Sequence, residues 1–187
     1  DTGTALVVAY KSGNGQIVSA NFNGTVWSNP SPYPITTISL GISSTPVVSM
    51  NGPNQGLAVW GDSTTGIIGS AFFSGGSWTV VPVAIGQLNV GRTAVAYSAN
   101  GTAVAIWEVN SIIRASNYIG GVWQAPVVLA INSSISTAPL GIDATGKAFA
   151  TWSDINGNVV TAIFNGIWQP GQIISTTSGN LNPVIGV

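Results

Sequence analysis

The chain of 187 residues has no cysteine and no histidine, and only 5% of its residues are charged. Without cysteine there is no disulfide framework, no thiolate nucleophile and no cysteine-ligated metal site. Without histidine the commonest proton shuttle at neutral pH is missing. Its four bases, Lys11, Arg92, Arg114 and Lys147, form no run, and the net charge is −1. Phosphate-driven binding of nucleic acid therefore has no electrostatic basis, and none is expected. No apolar stretch reaches the ~20 residues of a membrane-spanning helix. No segment carries the 3.6-residue apolar period of an amphipathic helix.

The chain does have apolar residues at 45%, with 24 glycines, 10 prolines and seven tryptophans. Such a composition needs a core, and the thin charge leaves Ser, Thr, Asn, Gln and Gly to face water. The apolar residues recur in a pattern. Tyr10, Trp60, Trp107 and Trp152 stand 50, 47 and 45 residues apart, and Trp27, Trp78, Trp123 and Trp168 stand 51, 45 and 45 apart. A period of about 45–50 residues containing several short strands reads as propeller blades.

Each repeat follows one plan. A strand with small and large residues ends in the first aromatic, as in Ala103–Trp107. A second strand ends in Phe22, Phe73, Tyr118 or Phe164. Asn23-Gly24, Gly75-Gly76, Gly120-Gly121 and Asn165-Gly166 then read as two-residue hairpins. Pro30, Pro82, Pro126 and Pro170 follow the later tryptophans. Asp1, Asn51, Ser98 and Asp143 precede the first aromatic by nine residues and mark tight turns. The expected fold is all-β: four antiparallel four-stranded blades in one domain, 1–187. Repeats are expected at about 1–45, 46–92, 93–137 and 138–187. Segment 182–187 matches 138–142, so it is expected to complete the first blade, closing the array between N- and C-termini.

The pattern Gly-x-Ala-x-Ala-x-Trp, as at Gly101–Trp107, precedes Ala-x-Phe-Asn-Gly-x-Trp, as at Ala162–Trp168. Together they resemble the repeats of secreted bacterial β-propellers of the sialidase-like or lectin-like type. More loosely, they are similar to tachylectin-type and fucose-binding propeller lectins. The resemblance implies a secreted or cell-surface protein. A sialidase of that kind grips its substrate with three arginines and a Tyr–acid pair. This chain has only Arg92 and Arg114, and Ser98–Gly101 and Asp143–Gly146 only echo the Ser-x-Asp-x-Gly-x-x-Trp box. No sialidase or other enzyme activity is expected.

Function is then sought in binding. The first aromatic set reads as packing between blades, where large rings bury most surface. Trp27, Trp78, Trp123 and Trp168 lie nearer loops, where an indole can also stack on the C–H face of a sugar. Arg92, Arg114, Glu108, Asp62 and Asp154 are the polar candidates beside them. Arg114 with Glu108 reads first as a cross-strand ion pair. The three acids sit at similar places on separate blades, but none lies in a loop of alternating Asp and Asn, so no metal and no cofactor is expected. Asn23, Asn100 and Asn132 head glycosylation sequons. The expected function is a non-catalytic, lectin-like module for a glycan or cell-surface ligand. The alternative is a self-assembling subunit, with two chains making eight blades or a head-to-tail polymer.

Overall fold

The computed structural model describes residues 3–12, 14–28, 35, 41, 45–62, 64–84, 90–134, 140–176 and 185–187. Asp1, Pro30, the expected boundary near 137 and positions 182–184 lie outside them. The described residues contain no helix and form four antiparallel sheets. The first holds β1 (Ala5–Lys11) and β2 (Gln16–Phe22). The second is a meander of β3 (Val47–Gly52), β4 (Gln55–Asp62), β5 (Ile67–Ser74) and β6 (Ser77–Ala84). The third holds β7 (Val90–Tyr97), β8 (Ala103–Val109), β9 (Ile112–Ile119), β10 (Val122–Trp123) and β11 (Val127–Ala130). The fourth holds β12 (Ser133–Ser134), β13 (Leu140–Ile142), β14 (Ala148–Asp154), β15 (Val159–Phe164) and β16 (Gln172–Ser175).

The core lies between sheets, in three clusters at three interfaces. Ile17 of the first sheet meets Ala58, Trp60 and Ala71 of the second. Leu57, Val59 and Ile68 meet Ala105 and Trp107. Val104, Ile106 and Ile113 meet Ala150, Trp152 and Phe164. Successive residues of β4 and β8 thus point to opposite interfaces, which is why these strands are apolar on both faces. Each buried indole removes about 200 Å² from water, worth about 5 kcal/mol before ordering costs. Small residues make room for these rings. A Cβ at Gly69, opposite Trp60, would lie 2.4 Å from the indole.

Trp60, Trp107 and Trp152 are at most 3% exposed, as the repeat implies. Tyr10 is not their counterpart. The three tryptophans pair with Gly69, Arg114 and Val160, each four residues before the third-strand aromatic. The same place before Phe22 is Val18, whose partner is Ala9. Tyr10 lies one residue later and so on the opposite face, because side chains alternate along a strand. It is 37% exposed.

The hairpins split into two kinds. Gly75-Gly76 and Gly120-Gly121 all take positive φ, and Ser74 pairs with Ser77 and Ile119 with Val122. These are the two-residue turns expected. The Asn-Gly pairs differ, since only Gly24 and Gly166 take positive φ. Phe22 bridges Trp27 and Phe164 bridges Trp168, leaving loops of 23–26 and 165–167. Asn23 keeps its Oδ1 on the Thr25 and Val26 amides, both at 3.0 Å, a bond that replaces the tight turn.

The expected joining of 182–187 to β1 is not made by the residues described. Ile185–Val187 is in no strand and lies against β13, where a Cβ on Gly141 would sit 2.3 Å from Val187. The bare glycine lets the segment approach the last sheet closely. No packing cluster joins the last sheet to the first among the described residues.

Candidate functional site

The later tryptophans fasten each sheet to the one before it. The indole of Trp78 donates to Ser19 Oγ at 2.8 Å, Trp123 to Ser70 Oγ at 3.0 Å, and Trp168 to Asn117 Oδ1 at 3.2 Å. Each ring also stands 5.1–5.5 Å from the aromatic of its own third strand. Their first duty is therefore structural. Trp27, 50% exposed, has no indole partner among the described residues. Ser19 and Ser70, both three before the third-strand aromatic, were a repeat signal that a search for aromatics and charges passes over.

The candidate acids are mostly committed to turns. Asp62 is buried; its carboxylate accepts from the Gly41 and Thr64 amides at 3.1 and 2.9 Å and from the Thr65 hydroxyl. Asp154 accepts from the Asn156 and Asn158 amides at 2.9 and 2.8 Å and from the Asn158 side chain. These bonds, that of the Asn158 side chain first, hold its carboxyl below the ordinary range. Glu108 accepts from Ser134 Oγ at 3.2 Å. Among the described residues, no three acids gather as a metal site would require.

The two arginines stand apart. Arg92 is exposed in the bulge of β7 between Val90 and Thr93. Arg114 pairs with Trp107 in register and Glu108 with Ile113, so Arg114 and Glu108 point to opposite faces. The expected ion pair between them is not formed, for that geometric reason. The Arg114 Nε is buried with no hydrogen-bond partner among the described residues. Of the sequon residues, Asn23, Asn100 and Asn132 are all exposed. Asn100 Nδ2 donates to the Thr145 carbonyl at 2.6 Å, so a glycan there would break a bond between neighbouring sheets.

The third and fourth sheets open two clefts between them. A cleft of about 220 Å³ at one rim is lined by Ser111, Asn132, Ser133, Ser134, Ser153 and Asp154. Ser111 and Asn132 take φ of 61° and 50°, uncommon for non-glycine residues. The second is a larger groove of about 560 Å³ beside Trp168. Asn117, Gln124 and Gln169 supply amides, and Ile119, Val128 and Ile167 supply apolar surface. No residue lining this groove is charged. Gln124, Ile167 and Gln169 were invisible in the sequence because only the pairing of sheets brings them together.

No family model matches the chain, and no curated protein matches its sequence. Solved structures do. Over 91% of its length the chain is similar to Aleuria aurantia lectin, described as a fungal lectin with a six-bladed β-propeller fold, at TM-score 0.63 and 13% identity. The fold is propeller-like. AofleA from Arthrobotrys oligospora matches over 92% of this chain at TM-score 0.64 and 17% identity. A variant of the Aleuria lectin in complex with α-methyl-L-fucoside matches at TM-score 0.61 and 14% identity. The chain spans 56%, 54% and 61% of the lengths of these three structures. The sheets described above are blades in that sense, numbered one to four along the chain.

Proposed function

We propose that the chain is a non-catalytic recognition module for a neutral saccharide, bound in the groove between blades three and four. The observation that carries this reading is the groove's chemistry. Side-chain amides of Asn117, Gln124 and Gln169 offer donors and acceptors for hydroxyls, beside an indole and aliphatic surface for C–H faces, with no charge. Likeness in fold to lectins, one of them in complex with a fucoside, supports the class of ligand and leaves the sugar open. The candidate acids Asp62 and Asp154 are held in turn bonds, which supports binding over hydrolysis. A saccharide ligand fits a secreted or cell-surface setting.

A glycan array tests the reading. Binding to a defined neutral glycan is expected, weakened at least tenfold by Gln124→Ala and by Gln169→Ala, both exposed positions whose loss leaves the core intact. Tenfold corresponds to about 1.4 kcal/mol, one good hydrogen bond to an uncharged ligand. An array without a hit, or a hit indifferent to both substitutions, overturns it.

A further inference from the structure

The three blade interfaces share a plan, and the plan continues past both ends of the array. In each, one blade brings forward the face that bears its third-strand aromatic and later tryptophan. The preceding blade answers with the opposite face of its own third strand. Blade one carries the first kind of face with no core cluster upon it among the described residues. Val7, on that face by its pairing with Ala20, is 49% exposed, and Trp27 is 50% exposed. β1 has a strand partner on one side only among the described residues, whereas β4, β8 and β14 each have one on both sides.

Blade four carries the answering face. Thr161 stands three residues before Phe164, where Ser19 and Ser70 stand before Phe22 and Phe73. Its hydroxyl is thus placed as the indole acceptors of blades one and two are. Against the same face, Ile185–Val187 lies beside Gly141 of β13. β7 takes the corresponding place against β3, and β13 against β7. The segment therefore runs where the first strand of a following blade would run.

We propose that the uncovered face of blade one docks on blade four of a second copy of this chain. Trp27 then donates to Thr161, and the segment ending at Val187 lies along the open edge of β1. The same interface, already made three times within the chain, is made once more between chains. The occupant is another copy because the array itself supplies both complementary faces, and among the described residues no core cluster within one chain joins them. A net charge of −1 offers no repulsion between copies. The contact is heterologous, so it ends in a ring or continues as a filament according to the rotation between copies. It uses neither cleft between blades three and four and stands independently of the saccharide reading.

Sedimentation velocity over a wide concentration range tests it. The parent chain is expected to grow from monomer to multiples of the monomer mass as concentration rises. Val7→Glu, which sets a charge on the exposed face, is expected to stay monomeric with an unchanged unfolding midpoint. Should that midpoint fall, Trp27→Glu, on the same face and 50% exposed, repeats the test outside β1. A parent chain that is monomeric at every concentration overturns the proposal. So does assembly of both glutamate variants at the parent's concentrations.

Discussion

Blade one and blade three carry the same motif and treat it differently. In blade three Trp107 is fully buried against Leu57, Val59 and Ile68 of blade two, and Trp123 is half-buried with its indole bonded to Ser70. In blade one Ala9 stands where Trp107 stands, and Trp27 is half in water without an indole partner among the described residues. Both hairpins bring the third-strand aromatic and a tryptophan to ring centres 5.3–5.4 Å apart, through loop 23–26 in blade one and a two-residue turn in blade three. The difference is that this face of blade three packs on blade two, while among the described residues no core cluster covers the same face of blade one. The stabilising unit of this fold is thus the interface between blades, as nearest-neighbour coupling in repeat proteins leads one to expect.

The comparison is broken most directly by truncating the two tryptophans. Trp107→Ala should cost about 3–5 kcal/mol, the range for a large buried ring replaced by a cavity. Trp27→Ala should cost roughly half as much, about 2 kcal/mol, since half of that ring already meets solvent. Urea unfolding of dilute protein, where copies do not associate, measures both. Equal losses would mean that blade one is supported by contacts other than those seen at the inner interfaces.

A smaller effect isolates the polar part of the interface. Ser70 Oγ accepts from Trp123 and donates to the Val81 carbonyl, and the residue is fully buried. Ser70→Ala strands a donor and an acceptor and should cost about 1–3 kcal/mol. Thr161 occupies the equivalent place on blade four and donates only to the Ala150 carbonyl, at 3.1 Å, among the bonds described. Thr161→Ala should cost about 0.5 kcal/mol in the monomer. In an assembled sample it should cost more, which sharpens the contrast between an interface that is filled and one awaiting a partner.

The sequence displayed the blades plainly because large rings, glycine pairs and prolines recur at fixed intervals. It misled where one residue of phase decides the outcome. Tyr10 matches the tryptophans in spacing yet faces the other way, and no count of residues reveals which face a strand presents until its partner is known. Arg114 and Glu108 failed as a pair for the same reason. The turn Asp residues were legible, since Asp-Asn-Gly clusters mark turns by local chemistry alone. The groove beside Trp168 was not, because Asn117 in β9, Gln124 just past β10 and Gln169 just past Trp168 belong to two blades and meet only after the interface forms.

The smallest expected effect concerns pH, and it too separates the first blade from the last. Thr145 and its hydroxyl hold the Asp143 carboxyl below its ordinary value of 3.8, and Asn158 does the same for Asp154. At the position of Asp154, two residues past the buried tryptophan, blade one has Lys11. A carboxyl whose folded value is depressed contributes stability above its ordinary value and loses it as pH falls through the folded one. Acidification below 3.8 should therefore loosen the turns of blade four while the β1–β2 hairpin is unmoved. Both residues are partly open to solvent, so the loss is local and modest. Amide protection factors of Thr145, Lys147, Asn156 and Asn158 read it directly, since these N–H groups bond to the two carboxylates. Asp154→Asn keeps an acceptor oxygen in place and removes the titration, so protection of Asn156 and Asn158 should become flat across the acid range. An equal fall in protection across both blades would trace the acid response to global unfolding rather than to these two turns.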